Sequence, residues 1–238
     1  MPDELLQILY DDGPCLIVNK PAGLLTQAPR GIDSMELRVK QFYRQREGKP
    51  QGANIYLGLA HRIDRPVSGA LVFARHVRAA RKLCSQFADR TVSKVYWAVV
   101  EGQVQPEEGT WRDVLHKRHG KAQAEVVDAD HPEGKLSVLH YRVVWQDDEN
   151  SWLEIDLETG RTHQIRVQAS ARDHAVLGDS QYGSGTPFGQ QHADDRERAI
   201  ALHARQLAFR HPMTDESVDI TAPLSSDWDP LKLPLALL

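Results

Sequence analysis

The sequence predicts an α/β (α+β) fold built on a mixed, mostly antiparallel sheet, and three observations lead there. Short apolar or alternating runs recur at 5–10, 15–18, 55–60, 70–74, 94–100, 138–146, 152–158 and 201–209, which is the length and patterning of strands. Tight turns such as Asp11-Asp12-Gly13-Pro14 and Asp147 to Ser151 join some of them, and a short connection pairs its strands antiparallel. Helical spacing is confined to 33–47 and 75–88, with a third helix expected from about Thr162 or His163.

The elements follow in order. Leu5 to Tyr10 and Cys15 to Val18 form two strands around the first turn. Asn19-Lys20-Pro21-Ala22-Gly23 then places a lysine and two breakers just past a buried strand, either a plain turn or a ligand-contacting loop at a sheet edge. Ser34 can cap the helix at 33–47, whose apolar face reads as Leu37, Val39, Phe42 and Tyr43. A linker, Gly48 to Gly52, precedes the strand at 55–60, and the continuous apolar run Ala70 to Ala74 suits a buried strand. The helix at 75–88 has Val77, Ala80, Leu83, Cys84 and Phe87 at helical spacing. Its other face, Arg75, Arg78, Arg81 and Lys82, is the densest positive run in the chain and reads first as a solvated face.

Thr91 to Val100 is a strand in which Tyr96 and Trp97 point to opposite faces. Residues 103–135 are expected as short strands, hairpins and mobile loops, with His116-Lys117-Arg118-His119 on a loop. The strands at 138–146 and 152–158 pair. Residues 184–198 read as a flexible polar insertion, 201–209 as a returning strand, and the apolar end of the tail, 223–238, as packing down. The whole, 1–238, is expected to be one domain.

Composition narrows the function. A net charge of −4 excludes binding a polyanion through the whole surface, so any such partner must meet a local patch. The two cysteines stand in no ligand spacing, which fits a reducing compartment. The N-terminus lacks the basic start of a signal peptide, and no apolar run approaches the roughly 18–20 residues that span a bilayer. A soluble, cytoplasmic protein is expected. None of the eleven histidines forms an HxxxH or HxH pair with carboxylates, so no metal is expected.

One stretch organises the remainder, His61-Arg62-Ile63-Asp64-Arg65-Pro66-Val67-Ser68-Gly69, slung between two strands. A carboxylate between two guanidiniums stays ionised, and an ionised carboxylate fixed in a loop can act as a nucleophile. Taken alone, it reads equally as a surface loop whose charges pair with each other. Farther on, Gly160 to Arg166 crowds two arginines, a histidine, a glutamine and a threonine into one segment. Core packing is a poor account of it, since arginine is almost never buried unpaired, and a helix starting there would favour an anion at its N-terminus.

The Asp64 loop, the strand carrying Lys94-x-Tyr96, the Gly160 to Arg166 segment and the late Leu202-His203-Ala204 strand occur in one order. Together they make the chain, from Ile8 to Pro212, resemble the pseudouridine synthases of the RluA family, which convert uridine in RNA into its C5-glycoside isomer. The resemblance implies a long bent sheet with flanking helices and loops around a central cleft in which Asp64, Tyr96 and Arg166 converge. It assigns Asp64 the essential catalytic carboxylate, Tyr96 a place against the target base with a hand in moving the C5 proton, and Arg166 the ion pair with the aspartate. Arg62 is implied to reach into the RNA and Leu207 to pack near the base. Lys20, Arg65 and His163, with Arg75 and Arg78, are expected on the RNA side. The implied partner is structured RNA, a transfer RNA stem-loop or ribosomal RNA, bound by a monomer with no cofactor, no metal and no membrane.

Two departures from the family pattern stand in the loop. Ile63 replaces the commoner leucine, and Pro66-Val67 stands where many relatives carry a different residue followed by threonine; small changes of loop shape are expected. The chain starts directly at the catalytic motifs, with no S4-type domain, which leaves target choice to the catalytic face. Two other classes fit less well. A nucleoside or glycoside hydrolase normally needs a second carboxylate beside Asp64 to protonate the leaving group, and a non-catalytic RNA-binding protein has no need of the set Asp64, Tyr96 and Arg166.

Overall fold

In the computed structural model, which describes residues 6–29 and 31–231, the strands are β1 (Gln7–Asp11), β2 (Cys15–Lys20), β3 (Gly58–Leu59), β4 (Ser68–Ala74), β5 (Ser93–Glu101), β6 (Glu108–Lys117), β7 (Ala124–Val127), β8 (Lys135–Gln146), β9 (Asn150–Asp156), β10 (Leu202–Arg210) and β11 (Ser217–Thr221). The helices are α1 (Met35–Arg46), α2 (Val77–Ala88) and α3 (Gln164–Ser170). They divide into two compact units, Met1–Val92 with Ala204–Pro223, and Ser93–His203 with Leu224–Leu238. Every strand pair with a defined register is antiparallel. The predicted fold class therefore holds.

In the first unit the strand order is β1-β2-β4-β10, with β3 beside β4 and β11 beside β10. β2 and β4 are near-continuous apolar runs because both of their faces are covered. Cys15, Ile17, Ala70, Val72 and Ala74 on one face join Ala79 and Leu83 of α2 and Leu207 and Phe209 of β10 in a single core. α2 starts where His76 accepts a hydrogen bond at Nδ1 from the Ala79 amide, a cap that the sequence reading passed over. α1 begins as expected, with the Ser34 hydroxyl accepting from the Leu37 amide at 3.2 Å. Its buried stripe is Met35, Val39 and Tyr43, a spacing of four that keeps Val39 and Tyr43 of the predicted face and puts Met35 in place of Leu37 and Phe42.

Gly69 sits at a φ of +120°, and a Cβ there would run into the Ala204 backbone. Ser68-Gly69 therefore ends the motif on a glycine because β4 and β10 approach too closely for any side chain.

In the second unit the order is β5-β9-β8-β6-β7. Trp97 and Trp152 meet edge to face, with ring centroids 4.7 Å apart, on one face of the sheet, and the register puts the buried Leu153 and Ile155 on the other. β6 is longer than the short strands expected over 103–135, and it pairs with β8 from Glu108 with Arg142 to Leu115 with Lys135. α3 packs against β6 and β7 and is buried from Gln164 through Ala169, not on one face alone.

Further corrections concern connections. Only Gly58 and Leu59 of the predicted strand at 55–60 pair. β11, unpredicted, extends the first unit. The segment at 184–198 is tied at its start, where one Glu101 carboxylate oxygen accepts from the Ser184 hydroxyl and from the Gly185 and Thr186 amides at 2.8–3.0 Å. Phe188 then packs on Trp228. The apolar end of the tail lies outside the described residues. Among the described residues, no helix is long and apolar enough to cross a membrane.

Gly69→Ala should lose about 1–3 kcal/mol from backbone strain and more from overlap with Ala204, whereas Ser34→Ala should lose about 1 kcal/mol. Urea unfolding of the two variants checks this; equal losses would remove the steric reason given for Gly69.

Candidate active site

Asp64 lies in the first unit, in a loop that closes in a turn where the Val67 amide donates to the Asp64 carbonyl at 3.1 Å. His61, Ile63 and Arg65 are each fastened. His61 Nε2 accepts from the Val72 amide at 3.1 Å, and its ring stacks on Phe87. Ile63 is buried, and the Thr26 hydroxyl both donates to its carbonyl (2.8 Å) and accepts from its amide (3.1 Å). Arg65 donates through Nε to the Gly23 carbonyl at 2.8 Å. Between these anchors, Arg62 is exposed and Asp64 half-buried.

Lys20, expected to meet RNA, is fully buried instead. Its ammonium donates to the carbonyls of Pro21 (2.8 Å), Leu24 (2.8 Å) and Arg65 (3.3 Å). Burial takes it out of reach of a phosphate and makes it the post on which the Gly23 and Asp64 loops hang. Burial lowers its pKa to about 7, against an opposing pull from the Asp64 carboxylate and a smaller push in the same direction from Arg65.

Leu207 is 2% exposed within the core of its unit, beside Phe209. The β10 alternation that buries both accounts for it as packing, not as an open contact for a base. Arg75 lies over the Tyr43 ring and pairs with Glu47 at 2.6 Å, so internal partners already hold its charge. Arg78, Arg81 and Lys82 remain exposed on α2, at the i, i+3 and i+4 positions of one face.

The second unit carries Tyr96 and Arg166. On β5, Trp97 turns into the core, so the half-buried Tyr96, in register with Ile155, projects from the other face. Arg166 on α3 is 3% exposed, and its guanidinium forks onto Asp179, with Nε to Oδ2 at 2.6 Å and an NH2 contact to Oδ1 at 2.8 Å. The same NH2 donates to Gln181 Oε1, and the guanidinium lies over the Tyr182 ring at 4.9 Å. The Tyr182 hydroxyl accepts from the Ala124 amide and meets His163 Nδ1 at 2.9 Å. His163, half-buried, has a positive φ of 53° just before α3.

The crowding at 160–166 thus has a packing account that the sequence reading set aside. Buried Gln164 accepts from the Thr159 hydroxyl and the Arg161 amide, and donates to the Val138 carbonyl. Thr159 also caps the Val138 amide. With only seven residues, α3 is too short to build an anion site on its dipole. Sequence reasoning missed Asp179, Gln181 and Tyr182, noting Gly178 to Gly183 only as a loop. The available signal was Arg166 itself, because a buried arginine demands a carboxylate and Asp179 is the acid in that loop.

Arg166→Ala and Asp179→Ala should each cost about 3–5 kcal/mol, since either removes one partner of a buried pair. The double variant should lose much less than the sum in denaturant unfolding; full additivity would mean that the pair is not coupled. Lys20 should make stability depend on pH. Its folded value, about 7, lies below its ordinary 10.5, so the unfolded chain holds the extra proton between them. The contribution of this group is therefore full above the ordinary value and is lost as pH falls through the folded one. Unfolding midpoints measured across that window should rise less steeply in Lys20→Met than in the parent chain.

Residues 14–171 match the family model described as RNA pseudouridylate synthase. The uncharacterized RNA pseudouridine synthase YhcT of Bacillus subtilis (strain 168) is 33% identical over 224 residues, which cover 93% of this chain and 70% of that protein. Ribosomal large subunit pseudouridine synthase D of Pseudomonas aeruginosa is 35% identical over 232 residues, covering 94% of this chain and 69% of that one. Among solved structures, human RNA pseudouridylate synthase domain containing 4 is similar with a TM-score of 0.76 at 23% identity, over 96% of this chain and 94% of its own. Human RNA pseudouridylate synthase domain containing 1 follows at 0.68 and 26%, over 92% and 83%.

Proposed function

This chain belongs to the RNA pseudouridylate synthase family and is an isomerase of uridine in RNA; on that premise we propose that Asp64 is its catalytic carboxylate and that Tyr96 and Arg166 serve the same reaction. The observation that carries the proposal is the anchoring of Asp64. Neighbours on both sides are bolted to Thr26, Gly23 and Lys20, while the carboxylate between them stays half-exposed.

The reaction breaks the C1′–N1 bond, turns the uracil and forms a C1′–C5 bond, while C5 gives up a proton and N1 gains one. Atoms balance within the substrate, so the chemistry consumes no cofactor. The carboxylate can attack C1′, attack C6 of the ring, or take a ribose proton. Each use needs an ionised group in a fixed place, which rigid support supplies. Tyr96 offers an aromatic face and a hydroxyl to a base that must leave its stack before the chemistry starts. Arg166, held in orientation by Asp179, supplies a fixed positive charge.

RNA enters through local charge. Exposed Arg62 beside the catalytic carboxylate, with Arg78, Arg81 and Lys82 on α2, offers cations to phosphates in an otherwise acidic chain. His163 offers a half-exposed ring next to its Tyr182 bond. The relatives named ribosomal large subunit pseudouridine synthase support ribosomal RNA as the substrate.

Asp64→Asn should abolish pseudouridine formation while leaving RNA binding and the unfolding midpoint nearly unchanged. Pseudouridine mapping of ribosomal and transfer RNA, with and without the gene, reads both activity and substrate. Substantial isomerisation by the variant would remove Asp64 from its role, sites confined to transfer RNA would overturn the ribosomal assignment, and release of free uracil would indicate a hydrolase.

A further inference from the structure

The second unit holds a cluster of metal-ligating groups that uridine isomerisation does not use. β6 ends at His116-Lys117, and the turn after it carries His119. A second turn, closed by the Gly134 amide on the His131 carbonyl, carries Glu133. Both imidazoles aim Nε2 at one carboxylate oxygen, His116 at 3.1 Å and His119 at 2.9 Å from Glu133 Oε2. One ligand atom from each of the three residues lies within 4.8 Å of the other two. A tetrahedral ion with ligands at about 2.0–2.2 Å needs them roughly 3.3–3.5 Å apart, and the two histidine–carboxylate distances lie within a few tenths of an ångström of that.

The surroundings are those of a ligand set. The other nitrogen of His116, Nδ1, lies 3.6 Å from Glu125 Oε1 on the paired residue of β7. Glu125 is held in turn by Arg118 Nε at 2.6 Å. A neutral imidazole has one N–H and cannot satisfy carboxylates at both nitrogens. With a metal on Nε2, the Nδ1–H would point at Glu125, the usual carboxylate–histidine–metal arrangement. Glu133 is also oriented, its amide donating to His131 Nδ1 at 3.2 Å. His116 is largely covered, whereas His119 is exposed, leaving an entry path and room for a water as fourth ligand.

We propose that His116, His119 and Glu133 bind a divalent transition-metal ion of the zinc type, which fastens the turn after β6 to the turn before β8. Two imidazoles and a carboxylate are donors suited to zinc and its neighbours, not to calcium or magnesium. The sequence expectation of no metal looked for HxxxH and HxH; here the spacing is HxxH, and the carboxylate comes from another turn. The alternative trio of Asp12, Cys15 and His211 in the first unit is a poorer host. Its Cys15 is fully buried, and burial, with Asp12 beside it, pushes the thiol well above its ordinary range, away from the thiolate that a metal needs.

The test is calorimetric titration of the untagged, chelator-stripped full chain with Zn2+, and visible absorption with Co2+. One equivalent should bind, with a Co2+ ligand-field band. His119→Ala and Glu133→Gln, both at exposed positions, should each weaken zinc by about tenfold or more, and Glu125→Gln by about tenfold. Cys15→Ser should leave it unchanged. Unchanged affinity in the His119→Ala/Glu133→Gln double variant, the absence of a stoichiometric event, or loss of binding in Cys15→Ser would each overturn the assignment.

Discussion

A buried ammonium holds the Asp64 loop in place, and much of the first unit can be traced to it. Lys20 closes β2, and its Nζ donates to carbonyls on two loops far apart in sequence, at Leu24 and Arg65. A lysine charge is costly to bury unless its donors are taken up. The cost is offset only if those carbonyls stay where they are, so the ion and the loops fix one another. The Thr26 hydroxyl repeats the device on Ile63, and Arg65 Nε does so in reverse on Gly23. Asp64 is thus held in place by the residues on either side of it.

The second unit solves a similar problem with the opposite charge pattern. Arg166, buried on α3, is matched by the Asp179 carboxylate and extended by Gln181 and Tyr182. Gln164 and Thr159 tie the segment before α3 to β8. α3 is too short to persist on propensity alone. Its stability comes from this network and from burial on all sides, which is why Gln164 and Arg166, polar as they are, lie within a core.

Strand and helix positions were legible to within a few residues where one local rule sufficed. The Asp11–Pro14 turn, the Ser34 cap and the apolar run at 70–74 each declare themselves over a few neighbouring residues. The Asp64 loop also stood out by its charge pattern, whereas Tyr96 was singled out by the family resemblance. Errors gathered where a residue's partner is remote. Lys20 was placed on the RNA side because a lysine after a strand carries no mark of depth. The same limit hid Asp179 and the clasp of Glu101 on residues 184–186.

By itself the sequence determined the family, the antiparallel strand pattern and the identity of the candidate carboxylate, because these rest on short-range order along the chain. Tertiary structure alone decided which charges are spent inside the protein and which remain for a ligand. Arg75 and Lys20 are taken up by Glu47 and backbone carbonyls, while Arg62, Arg78 and Arg81 face water. The physical reason is that the energy of a charge depends on burial and on partners brought from dozens of residues away, and neither is written in its immediate neighbours.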